Sequence, residues 1–165
     1  MITLVHGDLF TSSDSLAHCV SEDLVMGRGI AKTFRERFGR VHELKRQRRH
    51  VGEVAYILDE EQDRYLFYLV TKPKYWHKPT LETIRECLVT LKELCQRLHV
   101  TRLAMPQIAC GLDRQEWTEV QPLIASVFED TGIAITVYAY LATSLASSRP
   151  TASAASESCC APATR

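Results

Sequence analysis

Six short apolar runs alternate along this sequence with helical patterns of apolar residues. The runs are mostly continuous rather than alternating, which is typical of strands that are covered on both faces. They occupy residues 1–5, 15–20, 51–58, 65–71, 102–106 and 133–140. Strands that alternate with helices predict an α/β domain in which helices cover both sides of a largely parallel sheet.

Three helices are predicted between these strands. Leucine and isoleucine recur at three- and four-residue spacing over residues 81–98, after Pro79 and Thr80, which are typical of a helix start. A second pattern covers residues 117–128 but contains Pro122. Because proline fits the first helical turn, the regular helix is predicted to begin near that proline. A third helix is predicted to begin near Gly29.

The chain of 165 residues has room for one domain of ordinary size. Sixteen of the 25 residues in 141–165 are Ala, Ser or Thr. Such a stretch buries too little apolar surface to offset the entropy of ordering it. We therefore predict a domain over residues 1–140 and a flexible tail over 141–165. The pair Cys159 and Cys160 in that tail could be a lipidation or redox site, or an incidental pair.

Charge is balanced overall but uneven along the chain. Lys and Arg total 20, as do Asp and Glu, which argues against a general nucleic-acid-binding protein. Residues 28–50, however, hold nine Lys or Arg and two Glu, a net charge of +7. This segment could be a solvated helical face, could steer an anionic substrate, or could hold a partner.

No apolar run is long enough to span a membrane, and residues 1–20 lack the pattern of a secretion signal. The six cysteines include no C-x-x-C pair, which favours reduced thiols. A protein of the nucleus or the cytoplasm is expected.

Two polar segments follow the first two predicted strands, and ligands of open parallel sheets bind where strands end. Asp8 could accept a hydrogen bond from an exocyclic amine such as that of adenine, or it could cap a turn. Ser21 precedes Gly27 and Gly29, whose flexible backbone lets free amides approach an anion. This second segment could cradle a diphosphate or could be a plain glycine loop.

Two further segments follow later strands. Burial of Lys72 and the like charges of Lys74 and Lys78 would favour a neutral, nucleophilic amine; the alternative is a solvated lysine on a loop. Residues 105–114 begin at the end of a predicted strand and continue through a turn of small residues, in which Ala109 and Gly111 suit close approach to phosphate. In that loop Asp113 could be a general acid or base, or it could cap the next helix.

Together and in this order, these segments resemble the macrodomain family, which binds ADP-ribose. The residues that carry the resemblance are 7–10, 14–23, 26–31, 71–72, 77–80 and 110–114, and the likeness extends over residues 1–140. It is closest to the lysine-dependent group of glycohydrolases, because Ser21-Glu22-Asp23 and a short glycine segment replace the asparagine-rich first loop of other hydrolytic macrodomains. One departure is Ala109, where this group would have glycine.

The resemblance implies a three-layer α/β/α fold with a mixed, largely parallel central sheet. It implies that Lys72 and Asp113 are catalytic and that Asp8 binds adenine. The substrate-binding residues that it implies are Asp8, Leu9, Ser21, Gly27, Arg28, Gly29, Ile30, Ala109, Cys110, Gly111 and Leu112. No metal and no cofactor is expected.

The activity that the resemblance implies is removal of mono-ADP-ribose from glutamate or aspartate of modified proteins, together with deacylation of O-acyl-ADP-ribose. Poly(ADP-ribose) and ADP-ribosylated nucleic acid are further candidate partners, and a monomer without a membrane partner is expected. The alternative is a module that binds ADP-ribose without turnover. A third hypothesis is a scaffold that acts through residues 28–50.

Overall fold

The computed structural model describes residues 1–139. The predicted tail over 141–165, with Cys159 and Cys160, lies outside the described residues. The strands are β1 Ile2–His6, β2 Ser15–Ser21, β3 Val54–Asp59, β4 Arg64–Lys72, β5 Arg102–Pro106 and β6 Ala134–Ala139. The α-helices are α1 Gly29–Phe38, α2 Val41–Arg46, α3 Leu81–Arg97 and α4 Trp117–Phe128. None of these helices is long and apolar enough to cross a membrane.

All six strands form one sheet in the order β1-β6-β5-β2-β4-β3. Only the β3–β4 pair is antiparallel, so the sheet is mixed and largely parallel, as predicted. The five parallel strands therefore end at the same edge of the sheet. This edge carries the loops that follow β1, β5, β2 and β4. The candidate site residues predicted from the sequence lie in these loops or at the strand ends beside them.

Two layers of helices enclose the sheet, and β4 shows how. Its side chains alternate between the faces, as strand geometry requires. Phe67 and Leu69 join the core beneath α3 and α4. Leu66, Tyr68 and Val70 join the core on the side of α1 and α2. The predicted three-layer α/β/α architecture is confirmed.

Three elements differ from their predictions. The short helix α2 was not predicted. Helix α4 begins at Trp117, so Pro122 lies inside it; the first turn forms anyway because the Glu119 and Val120 amides donate to the Glu116 carbonyl. β1 was expected to be covered on both faces. It is instead an edge strand, and Leu4 is 46% exposed.

A buried histidine lies at the centre of β2. The ring of His18 stacks on Phe34 of α1 at 3.7 Å between centroids and meets Tyr68 edge-on at 4.7 Å. Neither of its ring nitrogens makes a hydrogen bond within the described residues. Burial lowers the pKa of His18 to about 3, so the imidazole is neutral at physiological pH.

This histidine should make the stability of the fold depend on pH. The pKa of His18 rises to its ordinary 6.5 on unfolding, so the unfolded state binds an extra proton at mildly acidic pH. As the pH is lowered from about 6 to about 4, the free energy of unfolding should therefore fall by about 1.4 kcal/mol for each pH unit. Urea unfolding across this range measures the slope.

Replacing His18 with phenylalanine should remove this contribution to the slope. His42→Gln is the matched control, because His42 is exposed. A slope that is the same in His18→Phe and the parent chain contradicts the prediction.

Candidate active site

The parallel pairing of β2 with β4 places Ser21 beside Lys72. The register runs regularly to Val20 and Val70 and then shifts, so that Ser21 pairs with Lys72 and Thr71 is the extra residue. Beyond the shift, the Glu22 amide donates to the Lys72 carbonyl at 2.9 Å. Irregularities of this kind often re-aim side chains at functional sites.

Lys72 and Asp113 form an ion pair at this edge of the sheet. The Lys72 Nζ atom donates to Oδ1 of Asp113, which lies in the loop between β5 and α4. Both side chains are 13% exposed, so water screens their attraction only in part. The structure thus brings together the two residues that were predicted to be catalytic. The carboxylate of Asp113 is thus in direct contact with the Lys72 amine.

The like charges expected beside Lys72 are directed elsewhere. Lys78 donates to the Leu112 carbonyl, and Lys74 is exposed on the loop after β4. The group in contact with Lys72 is therefore the carboxylate of Asp113, which carries the opposite charge.

Asp23 orders the segment after β2 and was assigned no role from the sequence. It accepts a hydrogen bond from the Ser21 hydroxyl and another from the Tyr75 amide at 3.1 Å. Burial opposes ionisation of Asp23, but these hydrogen bonds outweigh it and lower the pKa of the carboxyl. The two-residue spacing of Ser21 and Asp23, typical of a turn, was the signal that could have identified this pair.

The glycine segment ends at the start of α1. Arg28 directly precedes the helix, and its side chain makes no capping hydrogen bond to the first backbone amides of α1. Such amides bind anions well. Gly29 has φ +58°, and a Cβ atom there would lie 3.5 Å from Leu112 Cδ1. The predicted binding residues Gly27 to Ile30 therefore border the loop that contains Leu112.

The other predicted phosphate loop contains Ala109, Cys110, Gly111 and Leu112. Ala109 is buried and has φ +61°, a left-handed conformation that favours glycine. Its carbonyl accepts from the Gln115 amide at 2.8 Å, which closes the loop. Burial raises the pKa of Cys110 to about 11, so this thiol is protonated at neutral pH. Gly111 and Leu112 are exposed.

Asp8 and Leu9 lie at the far side of the same edge. Four strand spacings separate β1 from β4, about 19 Å in total. Asp8 is exposed, and its Oδ1 atom accepts from the Phe10 amide at 2.9 Å, the turn cap that the sequence left open as an alternative. Leu9 is buried in the core beneath α1. The structure thus places Asp8 on the edge but not in contact with the Lys72–Asp113 pair.

Comparison with known proteins identifies the family. The Macro domain family matches residues 17–124. The chain belongs to the macrodomain family. The fold class and family expected from the sequence are therefore confirmed.

Relatives of this macrodomain include an enzyme from human. The chain is 50% identical over 139 residues to human "ADP-ribose glycohydrolase OARD1", covering 83% of this chain and 90% of that protein. It is 28% identical over 138 residues to "DNA ADP-ribosyl glycohydrolase" of Mycobacterium tuberculosis, covering 78% of this chain and 39% of that protein. Among solved structures, the macrodomain of Thermus aquaticus DarG superposes with a TM-score of 0.76 at 27% identity, covering 84% of this chain and 97% of that one.

Replacing Ala109 with glycine should stabilise this macrodomain. Glycine adopts the left-handed conformation without the steric penalty of a Cβ atom, although it loses more entropy on folding. We expect the free energy of unfolding to rise by roughly 0.5–1 kcal/mol, measured by urea unfolding. The control is Ala134→Gly in β6, where the backbone is extended and glycine should destabilise. Equal effects of the two substitutions would contradict the assignment of strain to Ala109.

Proposed function

We propose that this macrodomain is an ADP-ribose glycohydrolase that removes mono-ADP-ribose from glutamate or aspartate side chains. The observation that carries the proposal is the Lys72–Asp113 pair, which places an amine and a carboxylate in contact at the ligand-binding edge of the sheet. A module that only binds ADP-ribose would not need this pair. The 50% identity to human ADP-ribose glycohydrolase OARD1 supports the same activity.

In the proposed complex, ADP-ribose lies along the edge with adenine at Asp8. The diphosphate lies between the glycine segment before α1 and the loop around Gly111. Both segments carry backbone amides at exposed positions, which suits an anion. The distal ribose then reaches Ser21 and the Lys72–Asp113 pair. Holding the anomeric carbon beside the amine supplies part of the rate enhancement by proximity, on the order of several kcal/mol.

The proposed reaction begins with transfer of a proton from Lys72 Nζ to Asp113, which leaves a neutral amine. Nζ then attacks C1″ of the distal ribose, an Nζ–C1″ bond forms, and the C1″–O bond to the departing carboxylate breaks. Opening of the ribose ring gives an imine between Nζ and C1″. Water adds to C1″, Asp113 moves the protons, and the Nζ–C1″ bond breaks to release ADP-ribose. The route needs no metal and no cofactor.

The same pocket would accept O-acyl-ADP-ribose whose acyl group is on O1″, because the carboxylate is then the group that leaves C1″ when Nζ attacks. ADP-ribose attached to nucleic acid is a further candidate substrate, supported by the 28% identity to a mycobacterial DNA ADP-ribosyl glycohydrolase. We also propose that the protein acts as a monomer in the nucleus or the cytoplasm.

Substitution of either member of the pair should stop turnover while binding continues. Lys72→Ala and Asp113→Ala should each lower the rate of release from a glutamate-ADP-ribosylated protein by a factor of about 100 or more. Mass spectrometry follows the modification, and calorimetry follows the affinity for ADP-ribose. Lys92→Ala is the matched control, because Lys92 lies on α3 rather than on a site loop.

A borohydride reductant added during turnover should attach one ADP-ribosyl group to the wild-type chain and none to Lys72→Ala. If the wild type binds ADP-ribose but leaves the modified protein intact, the chain is a binding module. If Lys72→Ala retains full activity, the proposed nucleophile is wrong.

A further inference from the structure

An exposed pair of aromatic side chains lies next to the proposed catalytic lysine. Tyr75 and Trp76 are 53% and 61% exposed, and they belong to the loop that joins β4 to α3. All residues from 73 to 78 in this loop are exposed. Adjacent exposed apolar side chains mark binding sites more often than single ones do. The proposed hydrolysis of the ribosyl bond assigns no role to either ring.

Hydrogen bonds hold the backbone of the segment that carries the aromatic pair. The Tyr75 amide donates to Asp23 at 3.1 Å, and the His77 amide closes a turn onto the Lys74 carbonyl at 3.0 Å. The rings of Tyr75 and Trp76 meet at 89°, with 5.0 Å between centroids. The Trp76 ring also meets the His77 ring at 65°, with 5.4 Å between centroids. Because neither contact is a parallel stack and Trp76 is exposed, its ring can take a further flat group by stacking.

The loop lies on the side of the site from which the acceptor would leave. Along the sheet edge, Asp8 follows β1, Asp113 follows β5 and Lys72 ends β4. ADP-ribose that extends from Asp8 to Lys72 therefore directs its distal ribose, and the group bound to it, toward Tyr75 and Trp76. The loop is joined to both sides of the pocket, through Tyr75 to Asp23 and through Lys78 to the Leu112 carbonyl.

The charges around the aromatic pair favour a polyanion. Residues 73–78 contain Lys74 and Lys78 but no acidic residue. The Asp23 carboxylate contacts this loop, and it accepts hydrogen bonds from the Tyr75 amide and the Ser21 hydroxyl. Arg28, which is exposed, begins the segment 28–50 of net charge +7, and its neighbour Gly29 borders Leu112. Cations combined with exposed aromatic rings are how proteins hold single-stranded nucleic acid, by neutralising phosphates and stacking bases. A glutamate-containing peptide would use the cations but would not require the rings.

We infer that Tyr75 and Trp76, together with Lys74, form an acceptor subsite that stacks a nucleobase of an ADP-ribosylated single-stranded nucleic acid. This inference rests on the proposed function, because it concerns the molecule from which ADP-ribose is removed. Trp76 provides the stacking surface, and Lys74 meets the phosphate that adjoins the base.

The first experiment measures stacking without turnover. The chain has two tryptophans, Trp76 and Trp117, so in a Trp117→Phe background the fluorescence reports on Trp76 alone. We expect a short unmodified single-stranded oligonucleotide to quench this fluorescence, with an affinity that falls as salt rises. An abasic oligonucleotide of the same length and a glutamate-rich peptide should leave the fluorescence unchanged.

The second experiment measures specificity. Trp76→Ala should lower kcat/KM for an ADP-ribosylated oligonucleotide at least tenfold and change kcat/KM for O-acetyl-ADP-ribose less than twofold. Trp76→Phe should restore most of the loss, because phenylalanine retains a stacking face. Leu4→Ala, which removes an exposed apolar side chain from β1, is the matched control and should affect neither substrate.

The outcomes separate the subsite from the proposed reaction. Two results would overturn the nucleobase subsite. One is fluorescence quenching by the peptide but not by the oligonucleotide; the other is an equal loss of kcat/KM with both substrates in Trp76→Ala. Quenching by the oligonucleotide with no release of ADP-ribose from any substrate supports the subsite and contradicts the proposed function.

Discussion

The parallel pairing of β2 with β4 is the constraint on which the site depends. These two strands lie inside the sheet, and the register shift after Val20 sets Ser21 beside Lys72 where both strands end. The Ser21 hydroxyl at the end of β2 and the Tyr75 amide in the loop after β4 then donate to Asp23, which ties the segment after β2 to that loop. A slip in the pairing of these strands would separate Ser21 from Lys72 and displace the segments attached to both.

The core explains why this pairing is held so firmly. Along β4, Phe67 and Leu69 face α3, while Leu66 and Tyr68 face α1, and all four are almost completely buried. A slip by one residue would exchange the two sets of side chains between differently shaped layers. The site therefore takes part of its precision from apolar packing several residues away.

Much of the fold and the location of the site could be predicted from the sequence, because both depend on local patterns. Apolar runs marked the strands, and polar or glycine residues directly after them marked the ligand-binding edge. The contact between Lys72 and Asp113 could not be read from spacing, since it joins residues on different loops. The short, highly charged helix α2 carried too weak an apolar pattern to be recognised. The antiparallel direction of β3 depends on tertiary packing, which the pattern of a single strand does not encode.

Left-handed backbone in the site loops was also invisible in the sequence. Apart from Ala109, the residues Leu24, Met26 and Arg114 have positive φ there, although none is glycine. Each such conformation costs roughly 1 kcal/mol or more. The side chains of Leu24 and Met26 are buried in the core beneath α1, and burial of such side chains contributes about 1.5–3 kcal/mol each. In the loop between β2 and α1, apolar burial therefore offsets the backbone strain. That loop can keep its shape without a ligand, so binding energy is not spent on ordering it.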